Sequence, residues 1–173
     1  MSFLLEHPAP GIASVGFGRS GRRLTYRTDP DAHRVTVHDD AGRLRMAFGG
    51  RGRGTGALDT PLDLTFVQPT FPGERLPACS PDAIWVAVAD YGNRRLQVFE
   101  LDGAPVGTVM LDDEPDIGAP CALTWRSPVL EVQGIEGART SLYLSAALLC
   151  GTAHPGSLAR PPREWWPASL RVN

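Results

Sequence analysis

Arginines spaced by glycines are the residues of this sequence whose types most directly suggest chemistry. Arg43, Arg45, Arg51 and Arg53 lie before and within a segment, residues 49–56, that holds five glycines. Guanidinium groups gathered on one surface bind nucleic-acid phosphates. A glycine loop that cradles phosphate normally opens a helix, however, and no helical periodicity follows this one. The glycines also suit a link between strands, which we favour, and nucleic-acid binding through these four arginines stays the alternative.

Histidines and carboxylates form a second cluster, made of Asp29, Asp31, His33 and His38. His33 and His38 are an odd number of residues apart in a segment with strand character, so their side chains point to opposite faces. Ligands on opposite faces of a strand do not easily share one ion. We therefore expect no metal site and no cofactor.

Covalent catalysis has no candidate nucleophile, because no Ser or Cys lies beside a plausible base at a recognisable spacing and the chain contains no Lys. Cys79, Cys121 and Cys150 are widely separated and show no CxxC spacing, so the sequence indicates neither a disulfide framework nor a zinc site. Asp90 and Asn93 would look catalytic in isolation, but the repeat described below gives them a structural role. We predict no catalytic residue.

The composition indicates many short strands joined by turns. The chain has 173 residues, of which 19 are Gly and 16 are Pro, spread along its length. The N-terminal residues show no basic segment followed by an apolar run, and the longest apolar stretch is too short to span a bilayer. We expect a cytoplasmic protein that does not associate with a membrane.

An internal repeat organises these strands. Residues 29–39 match residues 90–100 at a constant offset of 61, Gly42 falls on Gly103, and residues 61–66 match 120–125 at an offset of 59. Residues 68–82 carry four prolines and cannot sit inside a sheet ladder, so we interpret them as an insertion. Without this insertion the repeat is about 45 residues long, as in a propeller blade.

Local signals within the second unit predict four antiparallel strands. Residues 84–88 are a continuous apolar run that suits a strand covered on both faces. Residues 96–99 continue after a turn that contains Gly92 and Asn93, and Asp102-Gly103 is a hairpin signal that leads into residues 106–109. The run after Pro61 supplies the fourth strand.

The second unit resembles an NHL repeat. The resemblance rests on a "VAD" ending one strand, a "GN-R-hydrophobic-QVF" turn and strand, then "DG", which are found here as Val88-Ala89-Asp90-Tyr91-Gly92-Asn93-Arg94-Arg95-Leu96-Gln97-Val98-Phe99 and Asp102-Gly103. It implies that Asp29, Asp90 and Asn93 brace turns, that Gly103 forms a hairpin, and that residues 48–56 link two blades. Closed propellers have at least four blades, and those of this family usually about six.

The resulting prediction is an all-β half-propeller of about three four-stranded antiparallel blades, with no closed ring from one chain. The partial propeller covers residues 1–150, with blades roughly at 10–49, 58–111 and 117–150, and a tail follows at 151–173. The third unit lacks both the Asp-x-Gly-Asn turn and the Asp-Gly hairpin.

An open stack of blades is expected to leave apolar faces uncovered, and such faces mark interaction sites. We therefore predict a non-catalytic protein-interaction module or accessory subunit that completes a propeller with a second copy or with a partner chain. Trp165, Trp166, Phe71 and Arg75 are the expected partner-binding residues, because tail and loop residues of this kind form interface contacts. Nucleic-acid binding and an enzyme site formed in a channel on assembly are the alternatives.

Overall fold

A computed structural model of the chain describes residues 3–17, 22–68, 84–111 and 116–144. The tail and almost the whole insertion at 68–82 lie outside these ranges. The described residues form twelve strands and one short 3-10 turn, Tyr91–Asn93, and contain no α-helix. They are arranged in three antiparallel sheets that do not close into a ring. The predicted all-β, antiparallel and open architecture is therefore confirmed.

Sheet 1 contains five strands in the order β1-β2-β3-β4-β5. These are β1 (Phe3–Ala9), β2 (Ile12–Phe17), β3 (Arg22–Asp29), β4 (Arg34–His38) and β5 (Leu44–Gly49). Strands β2 to β5 correspond to the four strands predicted for a blade. β1 is an additional strand, and it begins before residue 10, the predicted start of the first blade.

Sheet 2 has the predicted four strands in the order β6-β7-β8-β9. They are β6 (Pro61–Val67), β7 (Trp85–Asp90), β8 (Arg95–Glu100) and β9 (Pro105–Met110). Sheet 3 comprises β10 (Pro120–Arg126), β11 (Val129–Gly134) and β12 (Arg139–Tyr143) in sequence order. A fourth strand of sheet 3 would fall beyond the described residues.

The three sheets are stacked face to face, with sheet 2 in the middle. All six residues of β7 are buried, as the continuous apolar run predicts. Because side chains alternate along a strand, Trp85, Ala87 and Ala89 enter the apolar cluster shared with sheet 3. Ile84, just before the strand, and Val88 enter the cluster shared with sheet 1. Sheet 2 therefore contributes to both halves of the core.

Candidate functional site

The turn between β7 and β8 is held by a buried carboxylate. Asp90 is fully buried, and one of its oxygens accepts hydrogen bonds from Arg95 Nε at 2.7 Å and Asn93 Nδ2 at 2.9 Å. The other oxygen accepts the backbone N–H of Asp59 at 2.6 Å, just before β6 begins. Asp90 and Asn93 therefore connect the turn to the chain that enters the sheet.

Arg95 and Gln97 extend this arrangement along the chain between sheets 1 and 2. Arg95 is 7% exposed, and its guanidinium donates to the backbone carbonyls of Arg53 at 2.7 Å, Gly54 at 3.1 Å and Ala57 at 2.9 Å. Gln97 is fully buried, accepts the N–H of Gly56 and donates to the Ala57 carbonyl. We call Asp90, Asn93, Arg95 and Gln97 the link clamp.

The four glycine-spaced arginines do not come together. Arg43 and Arg45 lie at the start of β5, whereas Arg51 and Arg53 lie beyond its end. All four are exposed. The six residues of β5 span about 20 Å in extended chain. Arg45 also lies 3.8 Å from the Asp39 carboxylate. The structure thus places two separated pairs rather than one basic cluster.

The first-sheet counterpart of the Asp90 turn is more exposed. Asp29 accepts hydrogen bonds from the N–H of Ala32 at 3.1 Å and from Arg34 Nε at 3.2 Å. His33 occupies the position of Arg94, and both residues have φ of 54°. His33 Nδ1 accepts the N–H of Thr60 at 3.0 Å, so this atom is already engaged.

The residues considered as metal ligands do not assemble into a site. His33 lies just before β4 and His38 is the last residue of that strand, and Asp31 lies exposed in the preceding turn. Over the described ranges there is no group of three or more His, Cys, Asp or Glu arranged to hold an ion.

Asp63 lies where the first strands of the three repeat units converge. Its side chain is 1% exposed. One carboxylate oxygen accepts the N–H groups of Gly11 at 2.6 Å and Leu64 at 2.9 Å, and the other accepts that of Leu123 at 2.7 Å. Asp63 is the one carboxylate that the first-strand segments supply in the sequence. The sequence gives no sign of the hydrogen bonds that join Asp63 to sheets 1 and 3.

His7 completes the arrangement around Asp63, and sequence reasoning did not find it. His7 Nε2 lies 3.1 Å from the Asp63 carboxylate, and the His7 side chain is 30% exposed. The hydrogen bond with Asp63 is the main reason that the pKa of His7 is raised above its ordinary value of 6.5, although burial opposes it. The two residues are 56 positions apart, so no local spacing signals the contact.

A His-Asp pair can perform acid-base chemistry on a nucleophile beside it, and among the described residues Cys121 is the free thiol to consider. Cys121 is near enough for the charge of Asp63 to affect it, yet burial and then Asp63 raise the pKa of its thiol. A raised pKa keeps the thiol protonated and unreactive. The Asp63 carboxylate is also occupied by three backbone N–H groups, so its geometry is that of a structural anchor.

A charged cleft of about 830 Å³ opens at one end of sheet 1, between the start of β3 and the β4–β5 hairpin. Its charged lining residues are Arg22, Arg23, Asp39, Asp40 and Arg45. Both carboxylates are engaged by backbone N–H groups: Asp39 by those of Ala41 and Arg43, and Asp40 by that of Arg23. The Arg43 N–H is the main cause of the lowered pKa of Asp39.

The outward faces of the two end sheets carry several polar side chains in the described part of the chain. The strand registers place Thr25, Arg27 and Thr36 together on the outward face of sheet 1. On sheet 3 they place Thr124, Glu131 and Ser141 on the outward face. These faces also carry apolar residues, such as Ile12 paired with Arg27 on sheet 1 and Val129 paired with Arg126 on sheet 3. The outward faces in the described residues are therefore mixed, whereas the residues that point into the stack are apolar.

The proposed partner-binding residues Trp165, Trp166, Phe71 and Arg75 lie outside the described residues. No described helix is long and apolar enough to cross a membrane. Comparison with known protein families finds no matching family model, and no curated protein is significantly similar to the chain.

Proposed function

We propose that this protein is a non-catalytic protein-interaction module, related to NHL-repeat propellers through its second blade, that serves as a small accessory subunit of a cytoplasmic assembly. The supporting observation is that the buried polar side chains form hydrogen bonds that hold the blades together. Asp63, Asp90, Arg95 and Gln97 all bond backbone groups outside their own sheet. Side chains committed to joining blades are not free to bind a substrate.

The charged residues on the outward face of sheet 1 bear on the kind of assembly. Closing a ring with a second half-propeller would bury the outward face of sheet 1, including exposed Arg27 and the Arg34–Asp29 ion pair. Charges taken out of water are costly unless well compensated. The interfaces inside the stack are apolar instead. The geometry therefore favours a different partner chain over a second copy as the protein's usual partner.

Sedimentation velocity of the pure protein at low micromolar concentration tests the assembly. A monomer is expected if the partner is a different chain, whereas a stable dimer would favour ring completion by a second copy. In parallel, the tagged protein and its W165A/W166A variant are used to isolate partners from native cells. The same defined protein, recovered with the wild type and lost with the variant, supports the adaptor role, and recovery of none from either counts against it.

The nucleic-acid alternative has a direct test. Fluorescence anisotropy with a labelled single-stranded RNA at low salt should show no binding, because the four arginines are divided between the two ends of β5. Binding that falls steeply with salt and is lost in an R51E/R53E variant would replace the adaptor proposal.

A further inference from the structure

β1 is attached to the stack as an addition to the blade. It has no counterpart among the four strands of sheet 2. Its pairing with β2 joins Phe3 through Glu6 to residues 14–17, then shifts register, and resumes only between Ala9 and Ile12. His7 and Pro8 fall in this irregularity, and Pro8 has no N–H to give to a ladder.

His7 reaches Asp63 at the position where the register shifts. Here His7 projects from the same face of β1 as Leu5, which packs against the core cluster shared by sheets 1 and 2. Its ring reaches the buried Asp63 carboxylate of β6 at 3.1 Å. On the opposite face Glu6 pairs with Arg23 at 2.8 Å, still within sheet 1.

We propose that His7 is a proton-dependent latch, which holds β1 on the stack when protonated and loosens it when deprotonated, so that the edge of β2 opens. Three fixed backbone N–H groups hold the Asp63 carboxylate in place whether or not His7 is charged. A protonated imidazole makes a charge-assisted hydrogen bond to this carboxylate, which is stronger than the bond from a neutral ring. The strength of the attachment therefore follows the charge of His7.

The groups that face His7 set the direction of the effect. β6 contributes Asp63 and a smaller influence of the Leu64 backbone, and both raise the pKa of His7. On β10, Cys121 lies near enough to Asp63 for the carboxylate to help raise the pKa of its thiol, which therefore stays neutral. Since the pKa of folded His7 lies above 6.5, its stabilisation is complete below about pH 6.5 and is lost as the pH rises through the raised value.

Loosening of β1 would expose the backbone edge of β2. β2, Ile12–Phe17, would then carry a row of unpaired backbone N–H and C=O groups along the edge that β1 now covers. An open strand edge accepts an added strand. Deprotonation of His7 thus raises the fraction of molecules in which the edge of β2 is free, while the three sheets stay folded.

Amide hydrogen exchange measured by NMR on the intact chain at pH 6 and pH 8 tests the latch. The protection factors of the β1–β2 amides should fall several-fold between the two pH values, since one unit of pKa difference corresponds to about a tenfold change in the closed-to-open ratio. In H7Q, which cannot be protonated, the protection factors at pH 6 should match the wild type at pH 8 and no longer depend on pH.

Two controls isolate His7 from other effects. H38Q removes a second half-buried histidine of sheet 1 and should behave as the wild type. The amides of β7 report opening of the whole stack and should stay protected at both pH values. The proposal is overturned if the pH dependence persists in H7Q, if the wild type shows none, or if the β7 amides lose protection in step with β1.

Discussion

Arg95 and Arg34 occupy the same position in the repeat but differ in their surroundings. Arg95 is 8% exposed in its side chain, and its Asp90 partner is fully buried. Arg34 is 46% exposed and pairs with an Asp29 that is 33% exposed. The buried pair is also tied to three backbone carbonyls, which compensates for the water that the guanidinium loses. One arginine clamps a link, and the other lies on a surface.

This contrast predicts unequal costs for one substitution at the two sites. Arg95→Met leaves the Asp90 carboxylate buried without its charge partner and frees three carbonyls, so the free energy of unfolding should fall by about 3–5 kcal/mol. Arg34→Met removes an exposed pair and should cost less than about 1 kcal/mol. Urea denaturation followed by circular dichroism measures both. Similar losses would mean that the link clamp does not stabilise the fold.

The hairpin turns of the first two blades occupy matching positions in the repeat, as Arg34 and Arg95 do. Gly42 and Gly103, aligned by the repeat, have φ of 73° and 87°. Both values favour glycine, because an L side chain is strained in this region. The surroundings differ, since a Cβ on Gly42 would meet nothing within 4 Å, whereas one on Gly103 would lie 2.7 Å from the Phe48 ring. The second hairpin therefore packs directly on the first sheet.

Alanine at each hairpin separates backbone strain from contact between sheets. Gly42→Ala should cost about 1–2 kcal/mol through the left-handed backbone alone. Gly103→Ala carries the same strain and adds a clash with Phe48, for a further cost of about 1–3 kcal/mol. Thermal or urea unfolding of the two variants gives the difference. Equal destabilisation would show that Phe48 moves aside freely and that this contact contributes little.

The elements that sequence predicts best are those governed by local pattern. The apolar run before Asp90, the Asp102-Gly103 hairpin and the insertion's prolines all act within a few residues, and sheet 2 follows the prediction strand for strand. The alternation of Arg23, Thr25 and Arg27 with buried Tyr26 also marks β3 as a strand with one polar face. That local signal is sufficient to predict polar residues on the outer face of β3.

Contacts between distant elements could not be predicted in the same way. β1 lies outside the repeat, so no offset reveals its pairing with β2. The contacts of Asp63 with Gly11 and Leu123 span 52 and 60 residues. Arg95 donates to backbone carbonyls. Every residue has such a carbonyl, so the residue types in the sequence do not indicate which ones Arg95 contacts. The contacts that join the blades are therefore visible only in the structure.

The stack as a whole has one middle sheet between two end sheets. Sheet 2 belongs to both apolar clusters, and Asp63 bonds both neighbouring sheets. An array joined at its centre in this way should not lose one end while it keeps the other. We therefore expect the three sheets to unfold together.

A cavity on one side of sheet 2 tests this expectation. Leu64 is fully buried in the cluster with sheet 1, so Leu64→Ala should lower the free energy of unfolding by about 2–5 kcal/mol. Trp85 and Trp125 lie in or against the other cluster, shared with sheet 3. In a W165F/W166F background their fluorescence should shift to lower urea together with the circular dichroism signal, with an unchanged slope.

Leu44→Ala, at a leucine that is 57% exposed, serves as the control and should leave the urea midpoint in place. In Leu64→Ala the two signals could instead separate. If part of the circular dichroism signal is lost at lower urea while the tryptophan transition does not move, sheet 1 unfolds independently. If the fluorescence and circular dichroism transitions coincide, a cavity between sheets 1 and 2 also destabilises the interface with sheet 3. The effect must then pass through β6 and β7. The middle sheet would then be the element whose stability sets that of the whole stack.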